Sequence, residues 1–204
     1  MTRKTKGDPR TLVFRKGTFR EALPLVLEHH YTHRRTADPM HVFLWERAGE
    51  IKAAAIFTSP VNRYFGKGAV ELARLVRLPD LVEPLTAFVA QCLRWLKRNT
   101  DLKFCLSYAD TTVGHHGGVY QAANFLYVAD SKGNTQYRNL ADGRIVSGRS
   151  FDQHAADNKE GWERLRTGKK HLYVYPLSEK RGSLLARFGW VALPYPKAAG
   201  WEFL

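Results

Sequence analysis

Pro84-Leu85-Thr86-Ala87-Phe88-Val89-Ala90-Gln91-Cys92-Leu93-Arg94-Trp95-Leu96-Lys97-Arg98 lies between two apolar runs, Ala69 to Leu78 and Lys103 to Tyr108. Leu85, Phe88, Val89, Cys92, Leu93 and Leu96 recur three and four residues apart, which puts them on one face of a helix. Pro84 suits the first helical position, where no N–H is needed. Lys97-Arg98 complement the dipole in the last turn. The flanking runs read as strands, the second of them buried. A strand, a helix and a strand in succession are the unit from which a mixed α/β sheet is built.

Working outward, Thr11-Leu12-Val13-Phe14-Arg15 reads as a short strand, and residues 1–10 as a basic, disordered N-terminus. Thr18 with Glu21 forms a capping box that opens a helix through Leu23, Val26, Leu27 and His30, with Pro24 early in it. His41 to Glu46 and Glu50 to Ser59 read as a hairpin around Arg47-Ala48-Gly49. Val61 to Gly68 is a loop. Downstream come a short helix (Val119 to Phe125), a strand (Leu126 to Val128) and a hairpin (Gln136 to Leu140, Arg144 to Val146). Ser150 with Gln153 predicts a capped helix reaching Arg166. A strand from His171 to Tyr175 and a helix from Glu179 to Phe188 follow. The expectation is a single mixed α+β domain over residues 11–204. A central mixed sheet is flanked by helices and carries a C-terminal β-β-α-β-α extension.

The chain has 204 residues, with 32 Lys and Arg against 19 Asp and Glu, a formal charge of +13. A surplus of this size favours a polyanion, since Lys and Arg neutralise phosphates and release counterions. Arg34, Arg35, Lys97, Arg98, Lys169 and Lys170 are the expected contacts to a nucleic acid. No apolar run approaches the ~18 residues that would span a bilayer, and an anionic membrane surface is the weaker rival partner because no segment has a clean basic amphipathic pattern; no membrane partner is expected. Cys92 and Cys105 are the only cysteines. They exclude a disulfide scaffold and a cysteine zinc site, and suit a reducing cytoplasm.

The densest polar cluster runs from Ser107 to Gln121 and includes Tyr108, Asp110, His115, His116, Gly118 and Tyr120. It begins at the C-terminal end of a predicted strand, where α/β sheets gather their ligands. Asp110 offers a carboxylate, the paired histidines offer bases and Tyr120 offers a phenol. A second cluster is Glu28-His29-His30-Tyr31-Thr32-His33-Arg34-Arg35; either His29 or His30 faces inward. His30, Asp110 and His115 or His116 would together make a two-histidine, one-carboxylate metal set of the kind that holds non-heme iron. Tyr64, Phe65, Trp95, Tyr120 and Tyr127 supply rings that can stack a flipped base or fill a core. Arg74 needs an acidic partner if buried, or else faces the surface.

These segments resemble the Mom-type DNA-modification proteins of bacteriophages. The resemblance rests on Leu27-Glu28-His29-His30-Tyr31, Glu71-Leu72-Ala73-Arg74-Leu75-Val76 and Leu93 to Thr100. Ser107-Tyr108-Ala109-Asp110, Gly114 to Phe125 and Pro194-Tyr195-Pro196-Lys197 complete it. It implies a fold similar to the GNAT acyltransferases. It also implies transfer of a carbamoylmethyl group to N6 of adenine in duplex DNA, which shields phage DNA from restriction in the host cytoplasm. Acetyl-CoA and iron enter as implied cofactors, with a small-molecule donor. On this reading Glu71 to Val76 is the central GNAT strand and the helix from Pro84 follows the cofactor turn. Asp110, Tyr120, His30 and Ser107 are the catalytic candidates. Tyr31, Arg74, Tyr108, His115, His116, Gly118 and Tyr64 are the substrate-binding candidates.

One departure stands out. GNAT enzymes ordinarily hold the CoA pyrophosphate with a glycine-rich turn ahead of this helix. Leu78-Pro79-Asp80-Leu81-Val82-Glu83-Pro84 has no glycine and carries two acids, which predicts repulsion of a pyrophosphate. The alternatives are a conventional GNAT acetyltransferase acting on a protein or small amine, and a non-catalytic basic DNA-binding protein.

Overall fold

Alternation along one strand assigns each helix to a face. In the computed structural model β3 (Glu50–Thr58) turns Ala53, Ala55 and Phe57 to one side and Ala54 and Ile56 to the other, all fully buried. The first set packs against α2 (Leu85–Asn99) through Phe88, Val89 and Cys92. The second packs against α1 (Phe19–His29) through Ala22, Leu25 and Val26. Burying a side chain such as Phe88 contributes about 1.5–3 kcal/mol relative to leaving it in water. The structure describes residues 11–36, 39–133, 135–148, 151–155, 158–166 and 168–197; the basic residues 1–10 lie outside this set.

The remaining elements are β1 (Val13–Lys16), β2 (Pro39–Arg47), β4 (Ala69–Arg77), β5 (Phe104–Asp110), α3 (Gly118–Ala122) and β6 (Leu126–Ser131). They continue with β7 (Thr135–Asn139), β8 (Ile145–Ser147), α4 (Phe151–His154), β9 (Trp162–Arg166), β10 (Lys170–Pro176) and α5 (Arg181–Phe188). A seven-stranded sheet has the order β1-β2-β3-β4-β5-β10-β6, and a three-stranded sheet the order β8-β7-β9. The fold class is the expected one, a mixed sheet with helices on both faces. The capping box also forms: Thr18 N donates to Glu21 Oε2 at 2.7 Å, and Glu21 N to Thr18 Oγ1 at 3.3 Å. The hairpin turn sits at Ala48 and Gly49, both with positive φ, as a tight turn matched to strand twist requires.

Two expectations are corrected. The predicted helix reaching Arg166 stops at His154. Trp162-Glu163-Arg164-Leu165-Arg166 instead forms β9, paired antiparallel with β7 from Asn139↔Trp162 to Thr135↔Arg166. Trp162 and Leu165, its half-buried residues, are three apart, so the pairing with β7 and not a period of two sets the strand; Ser150 lies outside the described residues. The C-terminal extension is thus β-β-α-β-β-α, and its last strand does not stay apart. β10 enters the main sheet between β5 and β6, and α5 packs Leu184 and Phe188 against Phe104 and Leu106. No helix among the described residues is long and apolar enough to cross a membrane.

Candidate active site

β4 and β5 run parallel and pair only at Ala69↔Phe104, Val70↔Cys105 and Glu71↔Leu106. Beyond that point β4 continues to Arg77 and β5 to Asp110, so the strands part. Within the same stretch the β3–β4 register shifts between Phe57↔Leu72 and Ile56↔Arg74, leaving Ala73 as a bulge. A cavity of about 480 Å³ occupies the opening. Its walls come from both faces of the sheet: Glu71 to Leu75 of β4, Tyr108 and Ala109 of β5, the turn Gly114 to Tyr120, and His30 and Tyr31 after α1.

His30 is buried at the C-cap of α1. Its Nδ1 lies 2.9 Å from Thr32 Oγ1 and accepts from Thr32 N at 3.2 Å. Burial, with the Arg74 and His115 charges, pushes its pKa down to about 4, so the ring is neutral at pH 7. The Tyr31 ring sits 4.5 Å from that of His30 and meets His115 edge-on at 5.0 Å. His115 N donates to the Asp110 carbonyl. The Arg74 guanidinium donates to its neighbour Ala73 O at 2.7 Å, and to the carbonyls of Arg34 and Arg35 at 3.4 Å each. It therefore ties the segment after α1 to the central strand. Tyr108 and Tyr120 both reach pKa values of about 12, pushed up mainly by burial.

Gly117, with φ +85°, sets the turn into α3. A Cβ there would stand 2.3 Å from Tyr173 Cε2. The Tyr173 hydroxyl donates to His116 O at 2.5 Å and accepts from Gln121 Nε2 at 2.9 Å. Gly118 and His116 line the cavity beside this lock.

Other candidates lie elsewhere. Ser107 is fully buried behind the wall; its hydroxyl donates to Leu72 O at 2.9 Å, a bridge across the parting strands, and also bonds Tyr120. Asp110 is not on the cavity wall. Its carboxylate accepts from Thr112 N at 3.0 Å and meets Lys170 Nζ at 3.1 Å. Burial pushes its pKa up, but Thr112 and Lys170 outweigh that and hold it below the usual value. Tyr64 is on the other side of the structure, against Phe65 and Phe188, and does not reach the cavity. Lys170 lines the cavity, and Arg34 and Arg35 stand beside Arg74. Lys169 approaches Asp130 at 3.7 Å. Lys97 and Arg98 end α2, which leads into the start of β5, at the opposite end of the sheet from Asp110.

Glu71 is the residue that sequence reasoning passed over. It lines the cavity on the face shared with Leu106. Burial raises its carboxyl pKa; the Arg74 and Lys170 charges and the Val61 N–H pull the other way without cancelling it. A carboxyl poised upward in a cleft beside an arginine suits proton transfer. The available signal was a lone acid inside the apolar run Ala69-Val70-Glu71-Leu72.

The expected metal set does not assemble. Among the described residues no three His, Cys, Asp or Glu side chains converge as a metal would require. His30 and His115 bracket Tyr31, while Asp110 is engaged by Lys170 and Thr112. These residues do not fit an iron centre. The expected repulsion at the cofactor turn is also removed. Lys52 Nζ lies 2.8 Å from Asp80 Oδ2, and Arg47 pairs with Glu83. No side chain caps the α2 N-terminus at Pro84.

A seven-stranded sheet whose parallel central pair parts around a cavity is the fold of the GNAT acetyltransferases. An acetyltransferase of Bacillus subtilis in complex with CoA superposes with a TM-score of 0.51 at 13% identity, over 82% of this chain and 99% of that one. A GNAT acetyltransferase of Elizabethkingia anophelis with acetyl-CoA bound gives 0.52 at 10% identity, over 82% and 99%. The ribosomal-protein-S18-alanine N-acetyltransferase of Escherichia coli gives 0.51 at 11%, over 83% and 96%. No curated protein matches the sequence. The chain belongs to the Mom protein family, whose profile matches residues 11–197.

Proposed function

We propose that this protein is a DNA-modifying transferase that places a carbamoylmethyl group on N6 of adenine in double-stranded DNA, as a shield against restriction. The observation that carries the reading is the cavity between β4 and β5, where Glu71 stands among the rings of Tyr31, Tyr108 and Tyr120. An exocyclic amine inside a duplex is stacked, so the base must be flipped out and held by ring contacts and hydrogen bonds. The charge of +13 supports a grip on the phosphate backbone.

As N6 bonds to the donor's methylene carbon and the bond from that carbon to its leaving group breaks, the N6 proton goes to the Glu71 carboxylate. Its raised pKa matches that task better than Asp110, whose carboxylate is held low, or His30, a weak base at about 4. Tyr120 stays protonated at neutral pH and donates toward the departing group. Arg74 and Lys170 steady the charge on Glu71. An acyl-CoA would be held at two places. The unpaired edge of β4 past Glu71 can take an amide-bearing chain as an added strand, and the uncapped α2 amides at Leu85 and Thr86 can take a phosphate. Its activated carbon would be the thioester carbonyl, which gives an amide on N6; the N–CH2 bond of the carbamoylmethyl product requires a donor whose methylene carbon carries the leaving group.

The test is mass spectrometry of nucleosides from the DNA of cells expressing the protein, beside Glu71→Gln. A deoxyadenosine adduct of carbamoylmethyl mass, absent with Glu71→Gln, is expected. An acetyl adduct on a protein or small amine, with DNA unmodified, would establish the conventional acetyltransferase that the fold also permits. Duplex binding with no modified product anywhere would leave a DNA-binding module.

A further inference from the structure

The three-stranded sheet takes no part in the cavity wall, yet it is fastened beside it at one point, and the chain leaving it for β10 at another. Arg34 Nη2 donates to Ile145 O of β8 at 3.2 Å, and the Arg34 carbonyl is itself held by Arg74. At the other junction Gly168 N donates to Thr112 Oγ1 at 2.7 Å. Thr111 donates to Lys169 O through its amide at 3.1 Å and its hydroxyl at 2.6 Å. Thr111 and Thr112 directly follow Asp110. The small sheet is therefore tied to the Arg74 side of the cavity through Arg34, and the chain that leaves β9 for β10 is tied to the turn after Asp110.

Its outer strand is cationic. β9 is an edge strand, and Trp162, Arg164 and Arg166 alternate onto one side of it. Both arginines are exposed, and no described carboxylate pairs with either. Arg144 lies 5.5 Å over the Trp162 ring. Phe151 of α4 stacks on Tyr137 at 3.6 Å and meets Trp162 edge-on, so an aromatic layer stiffens the strands that present the arginines.

We propose that this small sheet is the duplex-docking element, with Arg164 and Arg166 taking backbone phosphates of double-stranded DNA beside the base delivered to the cavity. The proposal rests on the reading of duplex DNA as the substrate. Phosphate contacts fix register and orientation without reading sequence, and a platform tied to Arg74 and to the turn after Asp110 converts a grip on the backbone into a position for the base.

The test is duplex binding by the full-length protein, followed by fluorescence anisotropy across a salt series. Arg164→Ala/Arg166→Ala is compared with Lys180→Ala/Arg181→Ala. The second pair removes equal charge at the start of α5, beyond the end of β10 that pairs with Phe104 and away from Asp110. The slope of log affinity against log salt is expected to fall by about 2 for the β9 pair, about one per lost phosphate contact. It is expected to hold for the α5 pair, and Arg164→Lys/Arg166→Lys restores it. Equal falls for both pairs would overturn the proposal, because net charge alone would then explain binding. Arginines on an edge strand can also serve only to block sheet-to-sheet association; aggregation of the β9 variant with unchanged duplex affinity would overturn it too. A wild-type protein that binds no duplex overturns both this proposal and the reading beneath it. Modification of DNA by wild type and the β9 variant alike, with the same salt slope, overturns only the docking role.

Discussion

Glu71 and Arg74 stand on one face of β4 although they are three residues apart, because the strand bulges at Ala73 between them. In a regular strand residues three apart point to opposite faces. The extra residue brings the guanidinium round to the carboxyl, where its charge lowers a pKa that burial raises. Replacing Arg74 with Met removes that restraint, so the Glu71 pKa rises further. The proton acceptor then ionises only at higher pH, and the acid limb of kcat/KM against pH moves upward. An unchanged acid limb would show that Glu71 is not the base.

The same residue predicts a trade of stability against activity. A carboxyl whose folded pKa lies above its unfolded value opposes folding once pH passes the folded pKa, and has no such effect below the unfolded pKa. Glu71→Gln is therefore expected to raise Tm at pH 7 while lowering turnover by about 10²–10⁴. The gain in Tm should disappear at pH values well below the usual glutamate range. A loss of stability at pH 7 would mean that Glu71 is held by pairing rather than strained by burial.

His30 works in the opposite sense on the acid side. Its folded pKa of about 4 lies below the unfolded value of 6.5, so the unfolded chain binds the proton first. Stability is complete above 6.5 and is lost as pH falls from there to about 4, by up to ~3 kcal/mol. His30→Asn keeps an acceptor near Thr32 N but does not titrate. Urea unfolding at pH 7 and pH 4.5 should show a smaller drop for the variant than for wild type.

Two glycines flanking the histidine pair separate strain from collision. Gly114 and Gly117 have φ of +74° and +85°, but a Cβ at Gly114 meets nothing within 4 Å, while one at Gly117 runs into the Tyr173 ring. Gly114→Ala should lose about 1 kcal/mol from backbone strain alone. Gly117→Ala should lose at least about 3 kcal/mol, because the ring is pinned by His116 and Gln121 and cannot move aside. Thermal unfolding of the two variants side by side checks the order.

Local signals were the legible ones. The capping box at Thr18, the tight turn at Ala48-Gly49 and the apolar face of α2 each depend on residues a few positions apart, and each forms as read. The cavity depends on distant pairings. Tyr64 has the ring that base stacking needs, yet Phe65 and α5 claim it, and no local pattern says which face of the sheet α5 will cover. Asp110 drew attention as an acid at a strand end, but its partner Lys170 comes from β10, 60 residues later. Glu71 was hidden for the converse reason, since only the parting of β4 and β5 makes a buried acid in a strand useful. β9 was misread because Trp162 and Leu165 stand three apart, a helical spacing, and only the ladder to β7 makes the segment a strand.

The place of β10 in the sheet bears on how the molecule comes into being. Until that segment has emerged from the ribosome, β5 has an open edge where its neighbour belongs, and β6 has nothing to pair with in the main sheet. Lys170 and the Tyr173 ring that locks the Gly117 turn arrive together on this one strand. The active centre is therefore completed late and in a single step. A nascent chain that has already released all three strands of the small sheet still has no finished cavity.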